Sequence, residues 1–190
     1  MSVTRTCNVV PCLLSLVISV LPVRYCDAEN ISKEPLSLVA IGARYGTNAG
    51  TDRNGTVDRV DVFGSWRTPY AWEFTPGWDV GARFNASVGV IRSQGDTGAV
   101  GTFVPTLAIG DASNGFSFEL GAGAALFSNW EFGTVEDFGG PLQFILDVGV
   151  NFRVYQRLGF GYRFQHWSDA GIYGAKRGVD MHMLEISYRY

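Results

Sequence analysis

Past residue 35 the apolar positions recur every second residue, the period of a strand with two unlike faces and not of a helix. The clearest run is Leu142 to Arg153. There Leu142, Phe144, Leu146, Val148, Val150 and Phe152 share one face, while Gln143, Asp147, Gly149, Asn151 and Arg153 share the other. Val80, Ala82, Phe84, Ala86, Val88 and Val90 alternate in the same way, as do Leu184, Ile186, Tyr188 and Tyr190 at the end of the chain. The pattern predicts eight strands, over 36–46, 56–66, 78–91, 98–110, 115–127, 140–153, 156–168 and 180–190. Turn-forming pairs separate them: Asn54-Gly55, Pro76-Gly77, Gly95-Asp96, Asn114-Gly115 and Gly139-Gly140. The first, second and fourth segments alternate poorly.

Composition decides what the two faces meet. Charged residues are 17% of the chain and glycine contributes 24 of its 190 residues, so the second face is small and polar and not heavily charged. With 15 basic against 18 acidic residues and no basic run, a nucleic-acid partner is not expected. The three cysteines, Cys7, Cys12 and Cys26, all precede residue 29. They fall in a stretch that reads as an export leader: Arg5, an apolar run from Val9 to Val23, and the small-residue context Cys26-Asp27-Ala28. The expected division is a signal peptide over 1–28 and a barrel domain over 29–190. An exported chain with no later cysteine, an even strand count and apolar residues on alternate positions describes an all-β fold. Its expected form is an eight-stranded antiparallel transmembrane β-barrel of the outer membrane. Lipid requires the apolar face outside and every backbone group paired, which closure supplies. A periplasmic sandwich would turn its polar face to water, and a lipocalin-like barrel would place the apolar residues inside.

Eight strands with a periplasmic N-terminus place the first, third, fifth and seventh connections outside the cell. In the seventh strand Leu158, Phe160, Tyr162 and Phe164 are outward, so His166 and Ser168 continue onto the lipid-facing wall. The eighth strand, followed backwards from Tyr190, brings His182 and then Asp180 onto the same wall. From residue 157, nine residues at ~3.3 Å rise and ~45° tilt climb ~21 Å of an apolar band about 25 Å tall. His166 therefore sits near the outer interface, where an outward polar group is tolerated. A strand that simply leaves the membrane at this level would show the same polar residues, while Ser168, His166 and Asp180 are also a hydroxyl, a base and an acid of the types used in nucleophilic catalysis.

The run His166-Trp167-Ser168-Asp169-Ala170-Gly171, followed by Gly178-Val179-Asp180, resembles the signature of the lipid A 3-O-deacylase family of outer-membrane barrels. That signature has the form His-x-Ser-Asn-Ala-Gly, a short loop, then Asn-x-Gly-x-Glu. The resemblance implies a hydrolytic triad of His166, Ser168 and Asp180 on the barrel's outer surface. It also implies lipid A, or lipopolysaccharide, of the outer leaflet as substrate, residence in the outer membrane, a homodimer and no cofactor. The serine esterase it describes removes the 3-position ester-linked acyl chain. The oxyanion is expected at the backbone N–H groups of Asp169, Ala170 and Gly171. This chain departs from the signature at three positions. Asp180 is one methylene shorter than Glu, Asp169 places an anion where Asn is usual, and Lys176 replaces the second Asn. Lys176 is expected either to donate to the oxyanion or to bind a lipid A phosphate.

Other readings are weaker. His182 is a rival base, and with His166 and Asp180 it has the residue types of a metal triad, but a surface histidine near the interface is the expected reading and no metal is expected. Asp147, Glu119, Arg83 and Arg153 are expected to form ion pairs in the lumen. Trp66, Trp72, Trp78 and Trp130 are expected in interfacial girdles, and Glu136-Asp137 as a solvated pair. The alternative function is a non-enzymatic structural or adhesive eight-stranded outer-membrane barrel, which would carry large outer loops, whereas none here much exceeds about 15 residues. A palmitoyl-transferring barrel would hold its groups at the lumen mouth, against the outward parity of His166 and Ser168.

Overall fold

The computed structural model describes residues 36–48, 55–111, 115–133, 136–174 and 178–190. The expected leader, Lys176, and the turn residues Asn54 and Asn114 lie outside the described residues. Eight long strands form a closed antiparallel barrel in the order β1-β10-β9-β8-β5-β4-β3-β2. They are β1 (Ser37–Asn48), β2 (Val57–Thr75), β3 (Trp78–Ser93), β4 (Asp96–Asp111), β5 (Phe116–Phe127), β8 (Leu142–Tyr155), β9 (Leu158–Ser168) and β10 (Gly178–Arg189). Two short strands, β6 (Glu131–Phe132) and β7 (Glu136–Asp137), pair inside the connection between β5 and β8. Pairing of β1 with β10, from Ala40↔Arg189 to Asn48↔Met181, closes the cylinder.

Leu146, Val148, Leu184 and Ile186 are exposed on the outward parity read from the sequence, and Leu107 and Leu120 extend the same apolar wall, as lipid requires. The principal difference is β2, which continues to Thr75 where the pattern had ended it at 66. Its register against β3 shifts between Arg67 and Ala71, around Pro69, so the alternation is interrupted there although the strand goes on. The turn between β3 and β4 is Gln94-Gly95, with φ of 52° and 91°. Two positive φ values in a two-residue hairpin match the twist of the strands it joins, and β4 accordingly starts two residues earlier than the pattern suggests.

The connections before β2, β4, β8 and β10 share one end of the barrel, here the loop end. The start of β1 and the end of β10 lie at the other, the terminal end. Inside, the lumen is layered. Near the loop end an apolar plug gathers Val57, Ile91, Val100, Phe127, Phe132, Phe138, Ile145, Trp167, Val179, Met181 and Met183. Phe127 stacks on Phe138 at 5.2 Å and Phe132 meets Phe138 edge-on at 5.9 Å. Below it lies a belt of buried ion pairs: Arg163 with Glu119 (2.8 Å) and with Asp147, Arg83 with Glu119 (2.7 Å), Arg44 with Glu185 (2.8 Å), and Arg59 with Asp61. Buried charges persist only when mutually satisfied; Arg59 and Asp61 pair along β2, and the other pairs tie different strands together.

Arg153 is exposed at the terminal mouth, where it lies against Gly115. One expected placement changes. Trp130 is not on the lipid wall: it packs against the apolar plug from the connection after β5. That connection folds inward over the lumen, which strand parity does not describe. Trp72 is exposed, and Trp78 packs on Phe116 at 6.2 Å, both on the outward face toward the terminal end. Trp66 is half-buried and lies over Gly64, where a Cβ would meet its ring at 2.5 Å. Asp137 is exposed and its Oδ1 accepts the Gly139 N–H at 2.7 Å.

Candidate active site

The hairpin of β9 and β10 builds the site. Its register sets Asp180 directly opposite His166 and Gly178 directly opposite Ser168. On the other side of β9, Leu146 faces His166 and Phe144 faces Ser168 from β8. All of these point to the outer wall, because residues on one face of a strand recur every second position. His166 Nδ1 lies 2.6 Å from Asp180 Oδ1, and both side chains are 45% exposed. An ionised carboxylate accepts there, so Nδ1 carries the proton and Nε2 is left with its lone pair. Ser168, the last residue of β9, is half-buried. Among the described residues its hydroxyl makes no hydrogen bond to His166.

Gly178 matters by what it lacks. A Cβ there would come to 2.7 Å from the Trp167 carbonyl oxygen, 3.5 Å from Ser168 Cβ and 3.6 Å from His166 Cε1. The missing side chain leaves the space between the serine and the imidazole open toward lipid. The sequence contained this residue within its signature, but parity alone gives a glycine no role.

Beyond Ser168 the chain turns sharply, with φ of 50° at Ala170 and 79° at Gly171. Asp169 holds this turn. Its side chain is 1% exposed and points into the barrel, its Oδ1 accepts the Gly171 N–H at 2.9 Å, and its carbonyl accepts the Ile172 N–H at 3.0 Å. The Gly171 amide is thus engaged with Asp169. The Ala170 amide makes no hydrogen bond among the described residues. The anion that the sequence placed beside the oxyanion faces the lumen, because residue 169 has inward parity. Asp169→Asn keeps the Oδ1 acceptor, so its deacylation rate is expected within about threefold of the original chain. Asp169→Ala removes the acceptor that shapes the turn and is expected to be clearly slower; initial rates of fatty-acid release on equal amounts of folded protein decide between them.

His182, the rival base, faces elsewhere. Its Nδ1 hydrogen-bonds the Tyr162 hydroxyl, and its ring lies 5.5 Å from that of Phe164.

Comparison with known proteins adds to this geometry. The solved structure of the outer-membrane enzyme PagL matches with a TM-score of 0.64 at 21% identity, covering 78% of this chain and 98% of that one. Ail of Yersinia pestis, in phospholipid nanodiscs, matches with a TM-score of 0.47 at 13% identity, covering 80% of this chain and 99% of that one. No curated protein matches the sequence. The family model for lipid A 3-O-deacylase (PagL) matches residues 59–189, a span that includes β9, β10 and most of the barrel. The chain belongs to the lipid A 3-O-deacylase family.

Proposed function

We propose that Ser168, His166 and Asp180 hydrolyse the ester at the 3-position of lipid A from the lipid-facing wall, at the level of the outer leaflet. The observation that carries this reading is the 2.6 Å bond from His166 Nδ1 to Asp180 on the outward face, with Ser168 two residues away on that face. Ser168 Oγ attacks the ester carbonyl carbon while its proton passes to His166 Nε2. Asp180 holds the imidazole in the tautomer that can accept this proton and stabilises the imidazolium, without taking the proton itself. The Ala170 amide donates to the oxyanion. As the C–O bond breaks, His166 returns the proton to the departing sugar oxygen, leaving an acyl-Ser168 ester. Water attacks that ester with His166 again as base, and the released products are the free fatty acid and Ser168. The balance is ester plus water giving acid plus alcohol, and no step calls for a cofactor. The substrate need not leave the membrane, since its ester lies against the wall that holds the hydroxyl. The reading includes the homodimer that the family resemblance implies.

The decisive experiment is mass spectrometry of lipid A from cells with and without the protein. Loss of one hydroxyacyl chain is the expected result; unchanged lipid A in cells holding the folded barrel would overturn the reading. The orientation has its own test. With a cysteine introduced at Ile172, a membrane-impermeant maleimide should label intact cells, whereas a cysteine at Gln156 should be labelled only after lysis. The reverse pattern would put the site in the wrong leaflet.

A further inference from the structure

β9 has a second face behind the wall. Its inward side chains Arg163, Gln165 and Trp167, with Asp169 just past its end, are each no more than 2% exposed. Gln165 is their hub. Its Oε1 accepts from Trp167 Nε1 at 3.0 Å and from Arg59 Nη1 at 3.2 Å, and its Nε2 donates to Asp147 Oδ1 at 2.8 Å. The Arg59 guanidinium also lies over the Trp167 ring, 4.8 Å from its centroid, and reaches Asp61 and Ser87. Phe127 meets the same indole edge-on at 5.3 Å. Thus the side chain between His166 and Ser168 is held on its edge, on its face and at its nitrogen, by groups from β2, β5 and β9 itself.

This placement bears on Ser168 because Ser168 ends its strand. Strand ends at a rim open more readily than strand centres, and a hydroxyl that must meet an ester within a fraction of an ångström gains nothing from a mobile backbone. Two polar side chains, Arg59 and Gln165, are buried at this level of the lumen beside the apolar plug. Burial of that kind is costly unless each group is bonded; Gln165 bonds the indole nitrogen, and Arg59 bonds Gln165 while lying over the indole face.

We propose that Arg59, Gln165 and Trp167 form a clamp inside the barrel that positions His166 and Ser168 on its outside. They are positioning residues for the hydrolysis and touch no substrate. The inference rests on the triad reading given above.

The test compares Gln165→Leu with Arg83→Met, which removes a buried ion pair of the same belt nearer the terminal end and should leave turnover unchanged. Each is measured on lipid A in detergent micelles, normalised to the heat-modifiable folded band. Gln165→Leu should lower kcat by about tenfold to a hundredfold, with KM changed by less than about threefold. Labelling of Ser168 by a fluorophosphonate should slow in parallel. Trp167→Phe keeps an aromatic ring in the plug but removes the Nε1 donor with part of the indole, so it serves if Gln165→Leu does not fold, and its kcat and labelling rate should fall in the same direction. If the folded Gln165 and Trp167 variants turn over and label like Arg83→Met, the clamp is wrong. The two failures are distinguishable: full activity in Ser168→Ala would overturn the triad, whereas a dead Ser168→Ala beside a fully active Gln165→Leu would overturn the clamp alone.

Discussion

Ser168→Ala should release no hydroxyacyl chain from lipid A while giving the same heat-modifiable barrel as the original chain. The expected loss is at least about a thousandfold, because removal of a nucleophile leaves only binding and oxyanion contacts to assist attack by water. His166→Ala should fall as far, since the two act as a unit and their effects do not add. Folding should be spared in both. The side chains stand on the outward face, away from the plug and the belt of ion pairs, and Ser168 has no hydrogen bond to His166 to lose. Lipid A profiles and free fatty-acid release, read beside the electrophoretic shift of the folded barrel, separate a catalytic defect from a folding one. A Ser168→Ala protein that still deacylates would sink the nucleophile assignment, whatever the fate of the other two residues.

Asp180→Asn should be nearly as damaging, by about a thousandfold to ten-thousandfold in kcat. The amide has the shape of the carboxylate but can turn its NH2 toward His166 Nδ1. That places the imidazole proton on Nε2, so the nitrogen needed as base becomes a donor. The imidazolium formed during attack also loses its counter-charge. Asp180→Glu should keep substantial activity, because a longer acid still reaches Nδ1 across the register pair by a change of rotamer, as the family pattern implies. His182→Ala should matter little, because that imidazole is tied to Tyr162 and not to Asp180. An active Asp180→Asn beside an inactive His182→Ala would reassign the acid and the base together.

Much of this was legible in the chain before any coordinates. A two-residue period is a strong signal where lipid enforces it, as in β8, and outward parity placed His166, Ser168 and Asp180 on one wall. Where the interior is chemically mixed, the signal fades. In β2 the inward positions run Val57, Arg59, Asp61, Phe63 and Ser65, two apolar and three polar, while outward Asp58 accepts a bond from Tyr45 at 2.9 Å. No alternation rule separates those faces, so the segment looked irregular although it is one of the longest strands. The clamp was hidden for a related reason. Arg59 and Gln165 are 106 residues apart in sequence, and only closure of the barrel brings β2 and β9 within reach of each other across the lumen. Asp169 stands in the signature where it would put a charge at the reacting centre, whereas its odd number turns the side chain inward. Trp130 left the wall because loops do not inherit the parity of the strands they join.

The apolar plug has a consequence for the wall around it. With Phe127, Phe132, Phe138 and Trp167 packed across one end of the lumen and ion pairs bridging its middle, the described residues fill much of the interior with side chains. An eight-stranded cylinder filled in this way is a solid support for its outer wall, so the chemistry it carries is written on its outside and its interior serves to hold that surface in shape.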